Sequence, residues 1–209
     1  MSDTKVDVLT HVISHAIFAP IVDEYVVPDQ ERLNRELVEA IRQWSVEENG
    51  TVRSNVAGWH SDGNIFKRTE PAFVEVCKHF VAACKPTLER YINKEKLNDR
   101  TLQLEGWVNI NPIHAYNQIH THDRFDLSGV YYAKVPERSN KDSGVIQFLN
   151  PGYRGGPYSD LFNAMNPQVF TVRPSEGKLL VFPSAMPHWV TPNNEDEDRM
   201  SIAFNLRLK

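Results

Sequence analysis

The chain changes its hydrophobic period near residue 100. Before it, apolar residues recur at three- and four-residue steps; after it, they alternate in short runs. Leu33, Leu37, Ala40, Ile41 and Trp44 share one helical face. The helix opens at Pro28-Asp29, with Asp29 as its expected cap, and should stop near Glu48-Asn49-Gly50, where glycine supplies a left-handed end. A second helix begins at Thr69-Glu70-Pro71 with proline in the first turn and carries the stripe Phe73, Val76, Cys77, Phe80, Val81, Cys84. Pro86 is expected to kink or break it before Leu88, Tyr91 and Ile92 resume the pattern. Ile17 to Val27 reads as strand interrupted at Pro20, and Thr51 to Lys67 as loop with a short strand.

From Leu102 to Asn111 the alternation sorts Leu102, Leu104, Gly106, Val108 and Ile110 to one face. Glu105, Trp107, Asn109 and Asn111 go to the other. Further strands are expected over 127–135, 143–149, 169–173, 178–183, 189–190 and 201–208. The Gly- and Pro-rich stretch 150–167, with Tyr153, Arg154, Tyr158 and Phe162, is too long for a simple connection and reads as a lid. Helices first and many short strands afterwards fit an α+β chain whose strands form a barrel backed by helices.

At 209 residues the chain suits one domain, 1–209, with 1–100 as helical support containing a short strand and 101–209 as the barrel core. The net charge of −4 and the lack of a basic stripe argue against nucleic acid as a partner. No apolar run is long enough to span a bilayer, and the polar first residues lack the pattern of a signal peptide. Cys77 and Cys84, two helical turns apart, are too distant to bridge and suit reduced thiols in a cytoplasmic protein. A small molecule or peptide is the expected partner; a homodimer stays open.

The chemistry-bearing residues lie in the second half. His120 and His122, two apart on an extended strand, point to one face and can aim at one metal ion. His188 offers a distant third ligand, leaving open positions of the kind that non-haem Fe(II) oxygenases use. Arg199 and Ser201 share a strand face eleven and thirteen residues further on. The other reading of Arg199 is a surface ion pair with the acidic run 195–198.

These residues sit among further motifs: Trp107-Val108-Asn109-Ile110-Asn111-Pro112, Ser128-Gly129-Val130-Tyr131-Tyr132, Gly144-Val145-Ile146-Gln147-Phe148, Phe182-Pro183-Ser184 and Arg199-Met200-Ser201-Ile202-Ala203-Phe204-Asn205, with Gly58-Trp59-His60-Ser61 earlier. In their order and spacing, from about Trp107 to Leu206, the chain resembles an Fe(II)/2-oxoglutarate-dependent oxygenase. The branch is one of small bacterial and phage oxygenases with His-x-His and Ser-Gly-Val-Tyr-Tyr. The resemblance implies a double-stranded β-helix (jelly-roll, cupin-like) barrel. It also implies Fe(II), 2-oxoglutarate and O2 as cofactor and co-substrates, and a hydroxylation or related oxidation releasing succinate and CO2.

His120 and His188 are then metal ligands. The third is contested. The family pattern is His-x-Asp, so either His122 completes a three-histidine site or a bulge turns Asp123 inward. Arg199 with Ser201 would anchor the distal carboxylate of 2-oxoglutarate, Asn109 and Asn111 would contact it, and Tyr116 and one of Tyr131 and Tyr132 would line the pocket. Tyr132 and Arg154 are candidates for substrate binding. Two other classes stay in play: a cupin-type dioxygenase or isomerase without 2-oxoglutarate, with Asp126 as its acidic ligand, and a metal-free binding barrel.

Overall fold

The structure is a computed structural model that describes residues 20–137, 139–153 and 159–209. In chain order its elements are β1 (Asp23–Val26), α1 (Gln30–Glu47), β2 (Asn55–Val56), β3 (Trp59–His60), a 3-10 turn (Ile65–Lys67), α2 (Pro71–Tyr91), α3 (Lys94–Asn98), β4 (Leu102–Asn111), β5 (Tyr116–His120), β6 (Leu127–Lys134), β7 (Ile146–Leu149), α4 (Asp160–Met165), β8 (Val169–Val172), β9 (Lys178–Pro183), β10 (His188–Val190) and β11 (Arg199–Leu208). The strands form two antiparallel sheets, β1-β9-β6-β11-β4-β3 and β2-β5-β10-β7-β8.

Strand alternation gives the larger sheet two different faces. Leu127, Tyr131 and Ala133 of β6, Leu179 and Val181 of β9, and Met200, Ile202, Phe204 and Leu206 of β11 pack with Leu33, Leu37, Ile41, Phe73, Val76 and Phe80 of α1 and α2. Phe80 stacks on Phe204 at 4.3 Å, and the Tyr131 hydroxyl donates to Asn34 of α1 at 2.5 Å. The opposite face looks across to the smaller sheet. Toward β7 and β8 the gap is filled by Val130, Tyr132, Ile146, Phe148, Val172, Leu180, Phe182 and Met186. Toward β4 and β5 it is lined instead by polar side chains, and that is where the site lies. The expected sorting of β4 holds: Val108 and Ile110 face the helices, while Trp107 and Asn109 face the pocket.

Several local expectations need correction. Helix α2 runs through Pro86 without a break. Ala82, whose carbonyl loses its helical partner there, is exposed, so water can satisfy it. Asp29 does not cap α1 with its side chain. Its backbone is left-handed (φ 51°), and its carboxylate instead accepts from Arg32 Nε at 2.5 Å. Gly50 is left-handed (φ +72°) as expected, but it stands beyond the helix end and turns the chain toward β3, where a Cβ would meet the His60 carbonyl at 2.7 Å. The first hundred residues are also more than support, since β1, β2 and β3 extend both sheets. The stretch read as a lid contains α4, capped by the Ser159 hydroxyl; Arg154 and Tyr158 lie outside the described residues, as do residues 17–19 of the first expected strand. No helix among the described residues is long and apolar enough to cross a membrane.

Candidate active site

His120 closes β5, His188 opens β10, and the two are direct partners in the pairing of those strands. Their rings lie 4.4 Å apart. His122 follows two residues beyond β5, where its backbone N–H donates to the Ser184 carbonyl at 2.9 Å. Its ring is 4.9 Å from His120 and 5.3 Å from His188. One ring nitrogen from each of the three lies within 4.8 Å of the others, so the trio can hold a metal ion.

The tautomers of two rings follow from their neighbours. His120 Nδ1 is 2.7 Å from the Gln118 carbonyl, and His188 Nδ1 is 2.8 Å from the Met186 carbonyl. A carbonyl only accepts, so Nδ1 carries the proton and Nε2 keeps its lone pair for a metal. Burial, with the repulsion of like neighbours, holds His122 down to about 3 and His188 down to about 4; burial lowers His120 as well. The cluster is neutral near pH 7, the form that ligates metal.

Asp123 does not reach this cluster. The Phe125 N–H donates to the His122 carbonyl at 3.0 Å, so the chain turns immediately after His122 and leaves Asp123 exposed at the turn's corner. Asp126 is also elsewhere, its carboxylate accepting from the Leu208 N–H at 2.7 Å.

The second feature of the site is Arg199. It is only 2% exposed and one of the largest fully buried side chains. Nη1 makes one long bond to the Ser201 hydroxyl at 3.3 Å, while Nε and Nη2 have no partner among the described residues. The acids of the 195–198 run do not pair with it. Glu195 accepts from Ser139, and Glu197 pairs with Lys134 at 2.7 Å.

Strand register gathers other polar groups around Arg199. Asn111 is its partner on β4, and Asn109 is the partner of Ser201 there. Tyr132 is the partner of Ser201 on β6. The Asn109 and Asn111 side-chain oxygens and the Tyr132 hydroxyl are buried without partners as well. The guanidinium lies 5.0 Å over the Tyr132 ring, and burial pushes that hydroxyl up to about 12 against the pull of the Arg199 charge. Burial also lowers Arg199 from its ordinary value. A buried cation with free donors is a place for an anion, because leaving it alone is costly.

A narrow cavity of about 50 Å³ is lined by the three histidines at one end and by Arg199 and Ser201 at the other. A wider cleft of about 500 Å³ reaches His120 and His122 and is walled by His60, Ser61, Glu105, Trp107 and Asn205. Arg199, Ser201 and Asn109 therefore surround a single pocket with the histidines, and Tyr132 packs against Arg199 behind that lining. Tyr132 stands at the buried Arg199 end rather than in the cleft, away from the substrate position the sequence suggested. Tyr131 points to the helices, and Tyr116 lies on an outer groove. Trp59 packs into the core against Trp44, leaving His60 and Ser61 to line the cleft. Asn205 and Ser128 also belong to this region, and the signal for them lies in the alternation of β11 and β6, which carries them to the inner face with Ser201 and Tyr132.

Residues 105–205 match the family model described as "Putative 2OG-Fe(II) oxygenase". No match is found among curated proteins. Among solved structures, a Pseudomonas putida prolyl-4-hydroxylase is 22% identical, covering 89% of this chain and 91% of its own, with a TM-score of 0.57. HygX from Streptomyces hygroscopicus, solved with nickel and 2-oxoglutarate bound, is 12% identical over 89% of this chain and 82% of its own, with a TM-score of 0.59. A Trichoplax adhaerens prolyl hydroxylase in complex with a hypoxia inducible factor peptide fragment is 14% identical over 89% and 83%, with a TM-score of 0.58. At these identities the likeness shows the shared fold.

Proposed function

We propose, from the premise that residues 105–205 form a 2OG-Fe(II) oxygenase domain, that the 209 residues act as one domain hydroxylating, or otherwise oxidising by two electrons, a small-molecule or peptide substrate. The observation that carries this reading is Arg199, a fully buried guanidinium with two unpartnered nitrogens, sharing a cavity with three neutral imidazoles. A metal-free barrel would have no use for such a charge. A cupin-type enzyme with Asp126 as ligand finds that carboxylate already engaged by Leu208.

In this reading His120, His122 and His188 hold Fe(II), and Asp123 stays outside the ligand set. The Gln118 and Met186 carbonyls fix two of the rings so that Nε2 faces the ion. Arg199 takes the distal carboxylate of 2-oxoglutarate through its free nitrogens, with Ser201 beside it. Asn109, Asn111 and the Tyr132 hydroxyl are the buried polar groups left to complete the shell, so Tyr132 serves the co-substrate. When bound, iron, 2-oxoglutarate and O2 supply the oxidation of a substrate C–H bond, with release of succinate and CO2. The chain's own part is to orient the substrate in the cleft and to keep bulk water from the narrow cavity. The two buried, unpaired thiols support a cytoplasmic setting, and the mildly acidic chain gives no support to a nucleic-acid partner.

The test is anaerobic addition of Fe(II) and 2-oxoglutarate, then a succinate-production screen against amino acids, peptides, nucleosides and extracts. A weak visible charge-transfer band and substrate-stimulated succinate are expected. Absence of the band together with absence of 2-oxoglutarate binding would overturn the reading.

A further inference from the structure

The wide cleft in front of the histidines carries charges that the metal and 2-oxoglutarate do not use. Glu105 and Trp107 lie two residues apart on the same face of β4, hence about 7 Å along the strand. Trp107 is the link to the metal end. Its ring is 5.5 Å from His122 on one side and stacks on His60 at 5.5 Å and 14° on the other. Glu105 therefore stands one side chain beyond the wall that borders the reacting position.

Its carboxylate is oriented but not neutralised. Asn205 is 1% exposed, and its Oδ1 accepts from the Ser128 hydroxyl at 2.7 Å, so its amide nitrogen is directed to Glu105 Oε1 at 3.1 Å. Among the described residues Glu105 has no lysine or arginine partner, and most of its acceptor capacity is unused.

His60 is an independent second sign of what the cleft receives. It is 7% exposed, and its Nδ1 proton is committed to the Ser61 carbonyl at 2.7 Å. Nε2 is thus an acceptor on the cleft wall with no hydrogen-bond partner among the described residues. Asp62 adds a second carboxylate at the rim. Arg53 adds a guanidinium to the lining; it and Asp62 are both exposed to solvent, where their charges are screened. The one charge on the cleft wall that is partly shielded from solvent is the Glu105 carboxylate.

We propose that this cleft selects a substrate bearing an ammonium or guanidinium group, held by the Glu105 carboxylate. The proposal rests on the oxygenase reading above. A neutral hydroxyl would serve His60 but would leave the half-buried Glu105 charge without a counterion, whereas a cation supplies both donors and charge. An anionic substrate would meet repulsion from Glu105.

The test uses the holoprotein, loaded anaerobically with Fe(II) and 2-oxoglutarate, and matched probes differing only in charge. These are N-acetyl-arginine amide against N-acetyl-citrulline amide, and N-acetyl-lysine amide against N-acetyl-norleucine amide, with N-acetyl-glutamate amide as the opposite sign. Calorimetric titration at millimolar concentration should give at least about tenfold tighter binding for the cationic member of one pair or both. Glu105→Gln, which keeps the acceptor for Asn205, should remove the preference while the Fe(II)/2-oxoglutarate charge-transfer band persists. The proposal is overturned if the paired probes bind equally, if none binds, if the glutamate probe binds best, or if the preference survives Glu105→Gln. With the band present, those outcomes leave the oxygenase reading standing. If the band never forms in the unmodified protein, both fall.

Discussion

Replacing Arg199 by methionine should move stability and ligand binding in opposite directions. In the ligand-free protein the guanidinium is 2% exposed, holds one 3.3 Å bond, and leaves Nε and Nη2 unsatisfied. A buried donor without a partner costs about 1–3 kcal/mol. Methionine keeps much of the stem's volume and removes both donors together with the charge. The ligand-free variant should therefore melt no lower than the parent, and as much as several degrees higher. The parent, loaded with Fe(II) and given 2-oxoglutarate at about a hundred times its dissociation constant, gains roughly 2.7 kcal/mol. For a chain of this size that is a rise of about 5–10 °C. Losing one partner of a buried charged pair costs about 3–5 kcal/mol, or some two to three and a half decades in affinity. At the same 2-oxoglutarate concentration the variant should keep no more than about 0.4 kcal/mol of that gain, a shift near 1 °C. Differential scanning calorimetry with and without 2-oxoglutarate reads both signs at once. A variant that melts far lower when free, yet keeps the full 2-oxoglutarate shift, would make Arg199 a structural residue and put the anchor elsewhere. Arg199→Lys should recover only part of the shift, because lysine lacks the planar fork.

Three further outcomes are expected. His122→Ala should lose most of its iron per chain, whereas Asp123→Ala, altered at an exposed turn corner, should keep it; the reverse result in metal analysis would restore a carboxylate triad. The metal-free protein should weaken in acid. His188 is held down to about 4 by burial, so the unfolded chain binds more protons, and stability falls as pH drops from about 6.5 toward 4. The loss attached to His188 is on the order of 3 kcal/mol, with His122 acting in the same direction, and a urea midpoint that stays flat between about pH 7 and pH 5 would refute it. Burial also pushes the Cys77 and Cys84 thiols up to about 12, so iodoacetamide should label the native protein very slowly and the urea-unfolded protein quickly. Rapid native labelling would show that α2 opens readily.

What the sequence by itself determined follows from the periods of its elements. The stripe on α1, the stripe on α2 and the alternation of β4 each depend only on 3.6 or 2 residues per repeat, and each face lands where the pattern puts it except at Val81, Tyr91 and Leu102, which stay exposed. The same rule put His120 beside His122 and Arg199 on the face of Ser201. A strand's period is silent about what the next strand brings, however. That His188 pairs with His120, that Arg199 stands opposite Asn111, and that Ser201 meets both Asn109 and Tyr132 are facts of register between segments far apart in the chain. Which of His122 and Asp123 turns toward the other two histidines was equally beyond local pattern, because it depends on one backbone bond from Phe125 and one to Ser184. The acids at 195–198 looked like natural partners for Arg199 because they are its neighbours in sequence. Folding sends Glu195 to Ser139 and Glu197 to Lys134, while strand alternation draws Arg199 inward, away from any carboxylate partner among the described residues. Only the packed sheets could leave that guanidinium buried and unpaired, since its isolation depends on which polar groups the neighbouring strands fail to supply.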